Sequence, residues 1–260
     1  YPAHAEVIRT DGLKDWMNRG YTPLIPVTDP VRYSTKYKVK LPPYVLGALL
    51  GDGSLVDGAV TLTHKADELS VVQEIEELGC FFRPNRGGVI RFPNDGLVSK
   101  ELRELGLLGA KSNNKFIPYK YLYLSVPERE SLLQGLMDTD GYVDERGQLY
   151  YTPVSEQLSK DFKQLVQSLG GLSTVYNKVG SYVDSEGNRV ECQLTYNHYI
   201  KLPKGITPFR MERKLSRCKT PKGRLFRRVE SIEYSRHCDG ACITVSNPDR
   251  LYLTDDFIVT

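Results

Sequence analysis

The sequence predicts an α+β protein in which two similar units of helices and strands are inserted in a small all-β domain. A nine-residue pattern occurs twice, as VLGALLGDG at residues 45–53 and as LQGLMDTDG at residues 133–141. Each copy is followed by the same order of strand-like and helix-like patterns, which indicates an internal repeat. The two chain ends share short strand-like runs separated by polar turns. We therefore expect a pseudo-twofold domain between two terminal segments.

The terminal segments are predicted at residues 1–38 and 223–260, with the repeat at 39–222 divided into units of about 40–124 and 125–222. The first 38 residues are too few for a core of their own, so they must dock on another part of the chain. Their pattern predicts a strand at 5–10 and a helix at 13–18. Short strands are predicted near the carboxyl end at 227–233, 241–246, 251–253 and 257–260.

Each repeated run is predicted to be a helix that opens its unit. In the first unit the helix begins after two prolines, and it is followed by a strand at 59–64, a helix at 66–78, strands at 81–83 and 89–92, and a helix at 97–108. In the second unit Ser125 and Glu128 have the spacing of a capping box. A strand at 149–153, a helix at 158–169 and a hairpin of 174–183 with 188–196 complete the second pattern.

The amino-acid composition excludes few classes of function. Hydrophobic residues are 40% of the chain, charged residues are 26%, and the net charge of +3 permits a polyanionic partner without requiring one. No apolar run approaches the roughly 20 residues of a membrane-spanning helix, so no membrane association is expected. Five cysteines form no regular framework and no secretory signal opens the chain. We expect a reducing, cytoplasmic setting.

The two repeated runs end in carboxylates, Asp52 and Asp140. If the runs are helices packed side by side, their small residues would allow close backbone approach and bring both aspartates to one end. Like charges held close together raise each other's pKa, and a hard divalent cation such as Mg²⁺ removes that conflict. The alternative is that each run is a core helix ended by a glycine, which explains one run better than it explains two.

The same residues carry a family resemblance. Both runs align without gaps with the motif of the LAGLIDADG homing endonucleases, and both keep the acidic residue before the last glycine. Residues 111–118, KSNNKFIP, resemble the lysine-containing block that precedes the second motif. The chain thus resembles, over nearly its whole length, an intein that carries such an endonuclease.

The resemblance implies a monomer of two αββαββα units that bind double-stranded DNA through curved antiparallel sheets. It implies cleavage of both strands across the minor groove with Mg²⁺, for which Mn²⁺ or Ca²⁺ would substitute in binding. Asp52 and Asp140 would hold the metal, with Gly51 and Thr139 beside them also assigned to the metal site.

Two lysines are assigned by position to the neighbourhood of the scissile phosphates, where they would neutralise developing charge. Lys115 matches the lysine block in the first unit, and Lys214 is the weaker match in the second. The alternative for Lys214 is a solvated helix lysine. Asp138 stands near Asp140, but helical geometry lets only one of them face the partner helix end.

Strand side chains are expected to read the DNA, because arginine and lysine fork onto guanine edges and glutamine or asparagine onto adenine. The candidates are Lys65, Arg83, Arg86, Arg91, Gln148, Tyr150, Tyr176, Lys178, Arg189 and Gln193. A solvated strand face is the alternative for each of them, and phosphate contacts account for part of any such set.

The chain ends resemble the hedgehog/intein (Hint) splicing domain, with departures. Residue 1 is tyrosine where an intein has its nucleophile, and His4 stands where the family has its block histidine. Cys242 occupies the position of a nucleophilic cysteine in some phage-type inteins, although Glu6 stands where these carry tryptophan. A buried structural cysteine is the alternative. We expect an intein truncated at both ends or one that has lost splicing.

The first functional hypothesis is therefore a site-specific, Mg²⁺-dependent DNA endonuclease of a bacterial or phage-infected cell. The alternatives are a splicing element with an inactive endonuclease, whose partners would be the flanking host protein segments, and a non-cleaving DNA-binding protein or RNA maturase of the same fold.

Overall fold

The structure is a computed structural model that describes residues 7–34, 37–65, 68–219, 223–237, 239, 243–246, 248 and 250–260. The chain divides into two compact units. The smaller one comprises Tyr1–Thr28 with Arg224–Thr260, and the larger one comprises Asp29–Gly223. The α+β class is confirmed, because helices alternate with antiparallel sheets along the chain.

The smaller unit contains one helix and one short sheet among its described residues. Helix α1 spans Thr10–Asn18, and β1 (Leu24–Pro26) pairs antiparallel with β10 (Phe226–Arg228). An isolated bridge joins Leu253 and Val259. Only Pro23 and Val27 are buried among the described residues of this unit.

The first half of the larger unit runs α2 (Pro43–Asp52), β2 (Gly53–Val56), β3 (Ala59–Thr63), α3 (Leu69–Glu77), β4 (Arg83–Asn85), β5 (Val89–Arg91) and α4 (Leu97–Glu104). The second half begins after the short helix α5 (Tyr119–Leu122). It runs α6 (Val126–Asp140), β6 (Tyr142–Val143), β7 (Leu149–Tyr151), α7 (Glu156–Ser168), β8 (Leu172–Val183), β9 (Arg189–Lys201) and α8 (Glu212–Leu215). Both halves therefore follow an αββαββα order.

Each half builds one four-stranded antiparallel sheet, and the two sheets share one topology. The strand orders are β2-β3-β5-β4 and β6-β7-β9-β8. Alternate residues are buried, as in Leu55, Val60, Leu62 and Ile90 of the first sheet. Each sheet therefore has a core face and a face that carries polar and aromatic side chains.

The start signals of the long helices act as the sequence predicts. Ser125 and Glu128 form a reciprocal capping box at the start of α6. The hydroxyl of Ser155 accepts the backbone N–H of Leu158 and so caps α7. These bonds satisfy amide groups that have no partner within the helix.

Several sequence predictions were wrong in detail. Thr10 begins a helix rather than ending a strand, and residues 229–233 and 243–246 are not in strands. The two compact units divide at Asp29, whereas the expected boundary is at residue 38. Val31 explains this boundary, because its N–H donates to Ser168 O at 2.9 Å and its carbonyl accepts from buried Arg129. No helix in the described ranges has the length and hydropathy needed to cross a membrane.

Candidate metal and nucleic-acid site

Helices α2 and α6 pack with almost no space between their backbones. A Cβ on Gly47 would lie 2.3 Å from Leu132 O, and a Cβ on Gly135 would lie 2.1 Å from Tyr44 O. A Cβ on Gly51 would lie 3.6 Å from the Cβ of Asp140. Contact this close requires glycine, and it brings the carboxyl ends of the two helices together.

Asp52 and Asp140 are the last residues of α2 and α6. Burial raises the pKa of both carboxyl groups. The charge of Asp52 raises the pKa of Asp140 further, while the ammonium groups of Lys115 and Lys214 lower it. The charge of Asp52 therefore acts on Asp140 at the ends of the two helices.

The donor set at this site fits a hard divalent cation. Asp52 and Asp140 are exposed at the helix ends, next to Gly51 and Thr139, whose carbonyl groups accept hydrogen bonds from Lys115 and Lys214. Mg²⁺ binds through one or two carboxylates and keeps several waters, so it does not need a larger protein cage. No cluster of three or more His, Cys, Asp and Glu that could hold a metal exists among the residues that the structure describes.

Lys115 binds the backbone carbonyls at the carboxyl end of α2. Its buried Nζ donates to the carbonyl oxygens of Leu49, Leu50, Gly51 and Gly53 at 3.0, 2.9, 3.1 and 2.8 Å. These carbonyls lie at the helix end, where backbone acceptors lack partners and a cation is favourable. Burial lowers the pKa of Lys115 to about 8, and the charges of Asp140 and Asp52 oppose that shift.

Lys214 repeats this arrangement at the end of α6. Its Nζ donates to the carbonyl oxygens of Met137, Asp138, Thr139 and Gly141 at 3.0, 2.6, 3.4 and 2.8 Å. The alternative of a solvated helix lysine is wrong, because this side chain is buried. The two lysines therefore hold equivalent carbonyls of the two motifs. Each ammonium also lies near enough to the aspartates for its charge to act on them.

Asp138 turns into the protein, as helical geometry predicts for one of the two neighbouring acids. It is fully buried and accepts hydrogen bonds from Tyr44 Oη at 2.8 Å and from the backbone N–H groups of Arg210 and Met211 at 3.2 Å each. Burial raises its pKa and these bonds oppose the rise. Asp138 is therefore a structural group between the two helices.

Arg210 is a residue of this region that the sequence did not single out. Its guanidinium lies 4.6 Å from the ring centre of Tyr44 and forms an ion pair with Glu74. Its Nε donates a hydrogen bond to Gln134 Oε1 at 2.8 Å. The segment after β9 is thereby fixed against both α3 and α6. No sequence signal marks these contacts, because the partners lie far apart along the chain.

The predicted DNA contacts divide by exposure. Lys65, Arg83, Arg86, Arg91, Tyr176, Lys178, Arg189 and Gln193 are exposed, whereas Gln148 and Tyr150 are half-buried. Gln148 accepts the Tyr150 hydroxyl at 2.8 Å, so these two polar groups partner each other. The charge of Lys65 lowers the pKa of Asp52, which places this lysine near Asp52. His4 and Cys242, the candidate splicing residues, lie outside the described residues.

Comparison with known families finds a match over part of the chain. Residues 128–199 match the LAGLIDADG-like domain. The matched segment runs from α6 to β9 and so includes the second repeated motif and most of the second sheet.

A curated relative and several solved structures are also similar to parts of the chain. The replicative DNA helicase DnaB of Mycobacterium intracellulare is 34% identical over 131 residues, which are 50% of this chain and 19% of that protein. The chain therefore spans about a fifth of the length of this relative. Mesophilic variants of the homing endonuclease I-DmoI align with a TM-score of 0.39 at 16% identity, covering 67% of this chain and 93% of theirs. I-DmoI in complex with DNA and Mn aligns with a TM-score of 0.38 at 15% identity, covering 62% and 88%.

Proposed function

We propose that this protein is a site-specific endonuclease that makes a double-strand break in a long DNA target by metal-assisted hydrolysis. The observation that carries the proposal is the convergence of Asp52 and Asp140 at the touching ends of α2 and α6. Each of these helices leads directly into a sheet with an exposed polar face. The match of residues 128–199 to the LAGLIDADG-like domain supports the same reaction class.

The aspartates would hold Mg²⁺, with Mn²⁺ or Ca²⁺ able to replace it in binding. A divalent ion bound there polarises a phosphate oxygen and lowers the pKa of a bound water. Lys115 and Lys214 fix the backbone on which the aspartates stand, and their charges favour the ionised carboxylates that a cation requires. The residues of the chain would therefore hold the two carboxylate ligands of the metal at fixed positions.

A single chain supplies both aspartates and both sheets, so we propose a monomer with pseudo-twofold symmetry about the α2–α6 contact. The shared strand order of the two sheets supports this arrangement. The exposed basic side chains would contact phosphates and base edges of duplex DNA.

We propose further that the protein derives from an intein with Hint-like ends. The match covers 19% of a much longer replicative helicase, which is what an element carried inside a host protein would give. A helicase of this type would then supply the flanking host segments, in the cytoplasm of a bacterial cell.

The test is cleavage of a randomised library of long duplexes in Mg²⁺, with sequencing of the cut ends. Asp52→Asn and Asp140→Asn are expected to abolish cleavage while retaining DNA binding, since neither change removes a base contact. Asp57→Asn is the matched control, because Asp57 is an exposed residue paired with Arg103.

Full cleavage by either variant of the repeated motif would refute the assignment. Binding without cleavage by the unaltered protein in both Mg²⁺ and Mn²⁺ would favour the non-cleaving alternatives instead.

A further inference from the structure

The exposed faces of the two sheets carry matching rows of opposed residues. In the first sheet the row is Ser54–Thr61–Arg91–Arg83, each residue paired directly with the next across neighbouring strands. In the second sheet it is Tyr142–Tyr150–Tyr199–Thr174. Ser54 stands two residues after Asp52, and Tyr142 stands two residues after Asp140. The arginine row and the tyrosine row therefore occupy equivalent places beside the carboxylates.

Both rows point away from the core. The strand neighbours of the arginine row, Leu55, Leu62 and Ile90, are buried, and residues alternate between faces along a strand. In the second sheet Val143, Leu149 and Ile200 are the buried neighbours. Four strands about 4.8 Å apart give each row a length of about 14 Å, close to four base-pair steps of 3.4 Å.

The arginine row places two like charges side by side. Arg83 and Arg91 are directly paired and exposed, an arrangement that destabilises a sheet unless an anion or acceptor lies between them. Arg91 Nη2 donates to Gly58 O at 2.7 Å, whereas the Arg83 guanidinium has no hydrogen bond or ion pair to any described residue. This pair is suited to an external acceptor such as the N7 and O6 atoms of guanine.

The tyrosine row presents ring surfaces instead. The ring centres of Tyr142 and Tyr150 lie 6.2 Å apart, and those of Tyr150 and Tyr199 lie 5.6 Å apart. The Tyr150 hydroxyl is occupied by Gln148, so its apolar ring is the part left for a partner. Apolar side chains recognise thymine through its C5-methyl group in the major groove.

We propose that the two sheets read the two halves of the target by different chemistry. The arginine row selects guanine in the half bound by the first sheet, and the tyrosine row selects thymine in the half bound by the second. The target is then asymmetric next to the cleavage site, although the two sheets share one topology. This inference rests on the proposed function, since it assumes that the exposed faces bind duplex DNA.

The test is a binding selection from randomised duplexes in Ca²⁺, followed by sequencing, with the full chain and with single variants. Arg83→Ala and Arg91→Ala are expected to reduce guanine enrichment in one half only. The expected loss is roughly 5- to 150-fold in base discrimination, the range given by one bidentate side chain–base pair. Tyr199→Ser is expected to reduce thymine enrichment in the other half, and Tyr199→Phe should retain it.

Arg103→Ala is the matched control, because Arg103 is an exposed arginine on α4 that pairs with Asp57. Two identical half-sites in the selected pool would overturn the inference, as would a uniform weakening of all sequences by the arginine variants. If the unaltered protein enriches no duplex, both this inference and the proposal that the protein binds DNA are overturned. Cleavage of the selected duplexes in Mg²⁺ is read separately, so the proposed nuclease activity and the base preference can fail independently.

Discussion

Replacing Gly135 by alanine should separate the two central helices and disable the site without altering any of its side chains. The added Cβ would lie 2.1 Å from Tyr44 O, 2.8 Å from Ala48 N and 3.0 Å from Tyr44 C. All three atoms belong to the backbone of α2, so no side chain can move aside. Normal contact requires the helices to part by about 1 Å, since packed interiors leave no free volume.

Overpacking of this kind costs about 1–3 kcal/mol, and the rigid partner puts Gly135→Ala near the upper end. A domain of ordinary stability survives this loss, because unfolding free energies are about 5–15 kcal/mol. The loss in the rate of cleavage should be more severe than the loss in folding stability. A displacement of about 1 Å at reacting groups costs on the order of 100-fold in rate, so we expect that loss in the cleavage step.

The assay combines urea unfolding with single-turnover cleavage of a selected duplex and a separate measurement of DNA binding in Ca²⁺. Gly180→Ala is the control for stability, because its Cβ would meet only the Cys192 side chain at 3.7 Å. Wild-type cleavage by a stably folded Gly135→Ala variant would show that the close helix contact does not set the geometry of the aspartates.

Two further predictions concern buried charge. Lys214→Met and Lys115→Met should each lower the free energy of unfolding by about 2–4 kcal/mol, because buried carbonyls at a helix end lose a charge-assisted donor. Urea unfolding measures this loss, and Lys178→Met, at an exposed position, should change stability little. Burial lowers the pKa of His198 to about 4, so the folded protein keeps this ring neutral while the unfolded chain protonates it below pH 6.5. Stability should therefore fall by up to about 3 kcal/mol as the pH drops from 7 to below 4. His198→Gln should remove this part of the acid dependence, and an unchanged pH profile would contradict it.

The sequence located the parts of the site that depend on local pattern. Small residues at helical spacing predicted the close contact of α2 and α6, and the acidic residue of each run stands at the end of its helix, as expected. The capping box at Ser125 also formed as its spacing required. Signals of this kind extend over three or four residues of a single helix, so they can be recognised without knowledge of the partner.

Short strand-like runs near the carboxyl end were less informative. Residues 229–233 were predicted to continue a strand, but only Val229 donates a backbone hydrogen bond, to Pro23 O at 3.1 Å, and none of them is in a strand. A strand depends on hydrogen bonds to a neighbour elsewhere in the chain, and β-propensity reports only how a residue fits a pleated surface. The helix Thr10–Asn18 was likewise recognised only from Leu13 onward, because helix ends are weakly specified.

By itself, the sequence determined that two aspartates would stand at the ends of two glycine-containing helices that touch. Only the tertiary structure decided what surrounds them. Lys115 reaches carbonyls at the end of α2 that lie 62 to 66 residues away along the chain, and Lys214 reaches those at the end of α6 across 73 to 77 residues. The arginine and tyrosine rows likewise exist only through the register of four strands. Contacts of this range arise from packing of the whole unit, because no local spacing rule relates residues so far apart in the chain.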